Sequence, residues 1–184
     1  MTIPAAWPSA VRRYWFAELT PAQWFRASAE VDRDVRARFG HLPAAVTAAP
    51  PPAATTDGLV ALATVLVLDQ FPRHIWRGHA EAFAYDAAAL AVATTAVDVG
   101  LDATLTPAER SFLYLPFMHA EAVSAQARSL ALVTALGGDG VAFAQEHHDV
   151  IARFGRFPHR NAVLGRTSTA EEVDFLAHAA RYGQ

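Results

Sequence analysis

The segment Leu59–Leu68 reads LVALATVLVL, and this sets the first constraint on the fold. Wound as a helix it is apolar on nearly every side, so it needs neighbours all round it. The apolar run is too short to span a bilayer, so those neighbours have to be protein. Asp57 stands where an N-cap would, and Pro72 predicts the end of the helix, because its ring removes a donor and clashes with the preceding turn. No alternating strand pattern offers a sheet as cover, so the cover has to come from other helices.

Those helices can be read along the chain. Pro8 suits a first turn, and Val11, Tyr14, Trp15, Phe16 and Leu19 follow at helical spacing. Pro21 opens a short turn, and Ser28 caps a helix from Ala29 that Gly40 stops. The stretch LPAAVTAAPPPAATT then predicts a connector, extended at Pro50–Pro52. Further helices are predicted from about His79 to Val99, from Pro107 with Thr106 and Glu109 as a capping box, and from about Ala120 to Leu136. Two more are predicted from Val141 to Phe154 and from Ser168 or Thr169 to about Tyr182, and Pro116 predicts a kink or break. The expectation is one all-α domain over residues 1–184, with about seven to nine helices joined mostly by short loops and a Pro-rich connector at about residues 48–56.

Composition narrows the function classes. The chain of 184 residues is 53% hydrophobic, enough for a sizeable core. All fifteen basic residues are arginine and the net charge is −3, so no basic excess points to nucleic acid. The absence of cysteine excludes disulfides, thiolate zinc sites and cysteine nucleophiles. Arginines stand near the N-terminus where a signal peptide would need its apolar run. A soluble cytoplasmic protein with no membrane or nucleic-acid partner is expected. The His and carboxylate spacings match no metal motif, so neither a metal nor a cofactor is expected. GGDG at 137–140 lacks the lysine and strand context of a phosphate loop and reads as a helix stop.

The blocks LDQFPRHIWRG, AFAYDAAAL, FLYLPFMHAE and IARFGRFPHRNAVLGRTSTAEEVDFL resemble signature blocks of the bacterial domain-of-unknown-function 924 family, and RRYWFAELTPAQWF resembles its N-terminal block. The resemblance covers nearly the whole chain. It implies an α-helical fold similar to tetratricopeptide-type helix pairs, and it implies no established activity. There are two departures. His74 stands where the family block has asparagine, and Ala120 stands between His119 and Glu121 where serine is expected. Any chemistry carried by those missing residues would be lost in this member.

Three polar stretches interrupt the apolar helices. In DQFPRHIWRG, Asp69 precedes Arg73, His74 and Arg77 around a Phe-Pro pair. In EHHDVIARFGRFPHRN, His147 precedes a second Phe-Pro pair with Arg156, His159, Arg160 and Asn161 around it. In FMHAEAV, His119 and Glu121 are two residues apart. Arginine's planar fork suits carboxylate or phosphate, and imidazole beside a carboxylate is a common acid/base device. One reading is a polar pocket for a small anionic molecule. Its binding residues are Asp69, Arg73, Arg77, Tyr114, Arg156, His159, Arg160 and Asn161, with His119, Glu121 and His147 as candidate catalytic acid and base. A second reading is a tetratricopeptide-like scaffold that takes an acidic peptide in a basic concave groove. A third is a structural polar core, in which the arginines satisfy helix-end carbonyls and pair with Asp69 and its like. Whether the protein is an enzyme stays open at this level. If the two Phe-Pro turns end at the same hollow, their basic clusters form one site.

Overall fold

The Leu59–Leu68 segment lies at the centre: Ala61, Leu62, Ala63, Val65, Leu66 and Val67 are fully buried. The computed structural model describes residues 4–178, and among these the chain forms ten helices and no strand. Helix α1 (Trp7–Arg13) continues as a π-helical turn over Tyr14–Glu18 and is followed by α2 (Pro21–Trp24), α3 (Ala29–Phe39) and α4 (Leu42–Ala48). The central helix α5 runs from Gly58–Val65 through a π-helical turn over Leu66–Gln70 into Phe71–Ile75. Then come α6 (Asp86–Asp98), α7 (Pro107–His119), α8 (Val123–Leu136), α9 (Gly140–Phe154) and α10 (Ala170–His178). The last helix was expected to reach Tyr182, which lies outside the described residues.

Helix α5 packs against α1, α6 and α7, with α3 against its final segment, while α8 packs on both α7 and α9. The capping box read from the sequence is present: Glu109 N–H donates to Thr106 Oγ1 at 3.4 Å, and Thr106 N–H donates to Glu109 Oε2 at 3.0 Å.

Three expectations are corrected. The stretch after Gly40 is not a plain connector. Pro43 falls in the first turn of α4, where a missing N–H is harmless, and Pro52–Thr55 forms a 3₁₀ turn that buries Ala54. Helix α7 is not broken at Pro116 and runs on to His119. Helix α5 runs through Pro72, with consequences described below.

Gly58 shows how closely the centre is built. A Cβ added there would lie 2.5 Å from Thr104 Oγ1 and 2.7 Å from the Leu101 carbonyl oxygen. Gly58→Ala is expected to cost about 1–3 kcal/mol, because the Leu101–Thr104 turn has to give way. Urea unfolding reads this directly, and an unchanged midpoint would show that the turn yields freely.

Candidate functional site

A proline ring in a helix normally collides with the carbonyl four residues before it. In α5 the turn ahead of Pro72 is wider. Phe71 N–H donates to the Leu66 carbonyl five residues back, and Pro72 falls in the first turn of the segment that follows, where no donor is needed. The helix therefore continues, and its widened turn carries Asp69 and Gln70 into the interior.

Asp69 is completely buried. Its carboxylate accepts hydrogen bonds from His119 Nδ1 at 2.8 Å and from Gln70 Nε2, and Arg73 Nη1 stands 3.4 Å away. Arg73 also donates to the Asp69 carbonyl. Burial by itself would raise the Asp69 carboxyl, but the Arg73 charge and the His119 contact hold it well below the usual carboxylate range. An ionised carboxylate only accepts, so His119 carries its proton on Nδ1 and Nε2 is the basic nitrogen. Burial pushes His119 below its ordinary value, which keeps the ring neutral. His147 is held in the same tautomer, since its Nδ1 lies 2.8 Å from the Phe143 carbonyl, which can only accept. The two imidazole centroids are 6.5 Å apart.

The two Phe-Pro turns meet at Asp86. Arg73, from the first, holds both Asp86 oxygens at 3.1 Å. Arg160, from the second, reaches Asp86 Oδ2 at 3.3 Å through Nη1. Its guanidinium lies 4.6 Å from the Phe83 ring centroid and 4.5 Å from that of Phe157. The Arg160 side chain is only 7% exposed, yet its Nε finds no hydrogen-bond partner among the described residues. Burial, then the Arg73 charge, lowers Arg160 to about 10, so it remains a cation at neutral pH. Burial, then the Arg160 charge, drives the adjacent His159 down to about 4.

A further aspartate stands nearby. Asp32 accepts from Arg77 through Nε and Nη2, both at 2.8 Å, and its Oδ1 lies 2.7 Å from His74 Nδ1. Burial opposes ionisation of Asp32, but Arg77 and His74 hold it below its ordinary value. Arg73, His74, Arg77, His119, His147, His159 and Arg160 all border a single cleft of about 610 Å³. Trp24, Phe25, Leu115, Met118 and Phe143 supply apolar wall.

Four residues named from the sequence face elsewhere. Glu121 pairs with Arg166 at 2.5 and 2.9 Å and accepts from Phe157 N–H at 2.8 Å. The carboxylate partner of His119 is therefore Asp69 and not Glu121: α7 ends at His119, Ala120 is extended, and the chain carries Glu121 towards Arg166. Arg156 holds Glu172 at 2.6 and 2.8 Å, and Asn161 reaches the same carboxylate at 3.3 Å. Glu172 also forms a capping box with Thr169, so Arg156 and Asn161 fasten the start of α10. Tyr114 donates to Asp102 at 2.5 Å. For these four the structural alternative describes the contacts that are made. Sequence reasoning missed Asp32, which has the pattern of an ordinary first-turn acid in α3. It also missed Phe25 and Phe143 as cleft wall.

Among the described residues no group of three or more His, Asp or Glu side chains is placed to hold a metal ion, and no helix is long and apolar enough to cross a membrane.

Fold and site together define a class: a small helical protein in which a buried aspartate–histidine pair and two arginines on one carboxylate present His119, Arg73 and Arg160 to a largely apolar cleft. The bacterial proteins of unknown function (DUF924) match over residues 11–180, and the chain belongs to that family. It is similar to the structure of a protein of unknown function from Agrobacterium tumefaciens, with 37% identity and a TM-score of 0.90 over 95% of this chain and 99% of that one. No curated protein matches.

Proposed function

We propose that the cleft binds a small anionic ligand and that His119, oriented by Asp69, moves a proton to or from it. Arg160 is the observation that carries this reading. It is a buried guanidinium whose one carboxylate partner among the described residues, Asp86, is already held on both oxygens by Arg73, and its Nε has no partner among those residues. Buried charge is costly unless fully hydrogen-bonded. An oxyanion in the cleft would complete Arg160's fork, and the neutral His119 would stand at the same wall with Nε2 as its basic nitrogen.

The test is a comparison of salts. At matched ionic strength, phosphate and sulfate are expected to raise the melting temperature more than chloride, because a ligand bound only to the native state stabilises it. Arg160→Met is expected to abolish that difference while changing stability by less than about 1 kcal/mol, since Asp86 keeps both Arg73 contacts and charge repulsion is relieved. An identical response to all salts, or a large loss of stability in Arg160→Met with the phosphate effect intact, would overturn the reading.

Exposed Phe25 and Phe143 beside the cleft favour a second reading, a tetratricopeptide-like groove for an acidic peptide. In that case acidic peptides would stabilise the protein and small ions would not.

A further inference from the structure

An apolar strip runs through the cleft along two helices, with Arg26 and Ser111 also in the wall near Phe25. On α7, Leu115 lies one turn before His119, and on α9, Phe143 lies one turn before His147. The two histidines are neighbours at one end. The opposite end is marked by Phe112, about 10 Å further back along α7. There Phe25 stacks on Phe112 with centroids 5.7 Å apart and planes 6° apart, and Trp24 meets the same ring edge-on at 5.2 Å. Phe25 is 70% exposed and Phe143 is 57% exposed, and both border the cleft. Large aromatic side chains left open beside a recess mark a place where apolar surface is to be covered.

We infer that the ligand is an amphiphile: a small oxyanion head bound at Arg160 and the histidines, with an apolar tail lying over Leu115 and Phe143 towards Phe25. This rests on the anion-binding reading above and specifies what the anion carries. A bare inorganic ion would leave the aromatic end uncovered, and a neutral apolar molecule would leave Arg160 unsatisfied. A carboxylate or a phosphate monoester would each supply the head.

Straight-chain carboxylates from acetate to octanoate test this on the full chain, by calorimetry or by thermal shift with inorganic phosphate alongside. Each methylene from butyrate onward is expected to tighten binding about fourfold until the cleft is filled. Hexan-1-ol should bind at least tenfold more weakly than hexanoate, and Arg160→Met should erase that difference. Phe25→Ser and Phe143→Ser alter exposed side chains and should flatten the chain-length series while leaving the phosphate response in place. Octyl phosphate binding in place of octanoate would sustain the inference and assign the head as phosphate. A flat series with phosphate and acetate still bound would overturn the amphiphile and leave the anion site standing. No response to phosphate or to any carboxylate would overturn both, as would alcohol binding equal to that of the acid. Capture by anionic lipid vesicles without any response to octanoate would overturn the amphiphile in favour of a membrane surface.

Discussion

Asp69→Ala is expected to lower the free energy of unfolding by about 3–5 kcal/mol, the range for breaking a buried charged cluster from one side. Asp69 is fully buried and answers three groups: the His119 ring, the Gln70 amide and the Arg73 guanidinium. Arg73 would keep Asp86, but the His119 Nδ1–H and the Gln70 amide would lose their acceptor in a region closed to water. Asp69→Asn keeps the shape and separates packing from charge. Its amide oxygen can still accept from His119, but the negative charge that favours the imidazolium is gone, so His119 should titrate at lower pH than in the parent protein. Urea unfolding gives the first result and an NMR titration of the His119 ring the second. A loss below about 1 kcal/mol for Asp69→Ala would show that other groups already satisfy these donors.

Acid should destabilise this protein well above the pH at which carboxylates titrate. Burial pushes His74, His119, His147 and His159 below their ordinary value, His159 to about 4. In the unfolded chain each titrates near 6.5, as an approximate reference. Between those values the unfolded chain binds more protons than the folded one, so stability is complete above pH ~6.5 and falls as the pH drops. His159 alone withdraws roughly 3 kcal/mol by pH 4, at about 1.4 kcal/mol per unit of displacement. His159→Gln is expected to remove that share of the slope. Glu172 behaves in the opposite region. Hydrogen bonds from Arg156 hold it at about 2, so its contribution is intact above pH ~4.5 and is lost below that. Unfolding midpoints at a series of pH values between 7 and 4.5 separate the two effects, and a flat profile across that interval would contradict the histidine assignment.

Much of the helical frame can be read from local chemistry. Thr106 and Glu109 announce the start of α7, and Gly155, in the left-handed region at φ 69°, announces the end of α9. The failures at Pro43 and Pro72 share a form: each ring sits where its missing donor costs nothing. The stretch after Gly40 predicts a connector and Pro72 a helix end, yet Pro43 falls in a first turn and Pro72 behind a widened turn. The same division holds for the site. Two basic stretches around Phe-Pro pairs stand out in an apolar chain, and two of their arginines do meet at Asp86. Partner choice is not legible. Glu121, two residues from His119, is turned away by the end of α7, whereas Asp69, 50 residues earlier, is carried to it by the π-helical turn. Sequence distance says nothing about which carboxylate faces which ring once the backbone departs from regular winding.

The widened turn at Leu66–Gln70 amounts to a change of phase in α5. An α-helix advances about 100° per residue, so one additional residue in a turn rotates everything after it by that angle relative to everything before. Before the turn α5 carries no charged side chain, and Thr64 is its one buried polar side chain; after it, Arg73 and His74 arrive at the cleft wall. Without the additional residue, the helix would present the same side chains in a different direction. Asp69 would no longer meet His119, Arg73 would lose Asp86, and the Pro72 ring would have no room. The polar groups of this wall can therefore be exchanged singly by substitution, but they are lost together by a single deletion. Their arrangement depends on a residue count, and no one side chain encodes it.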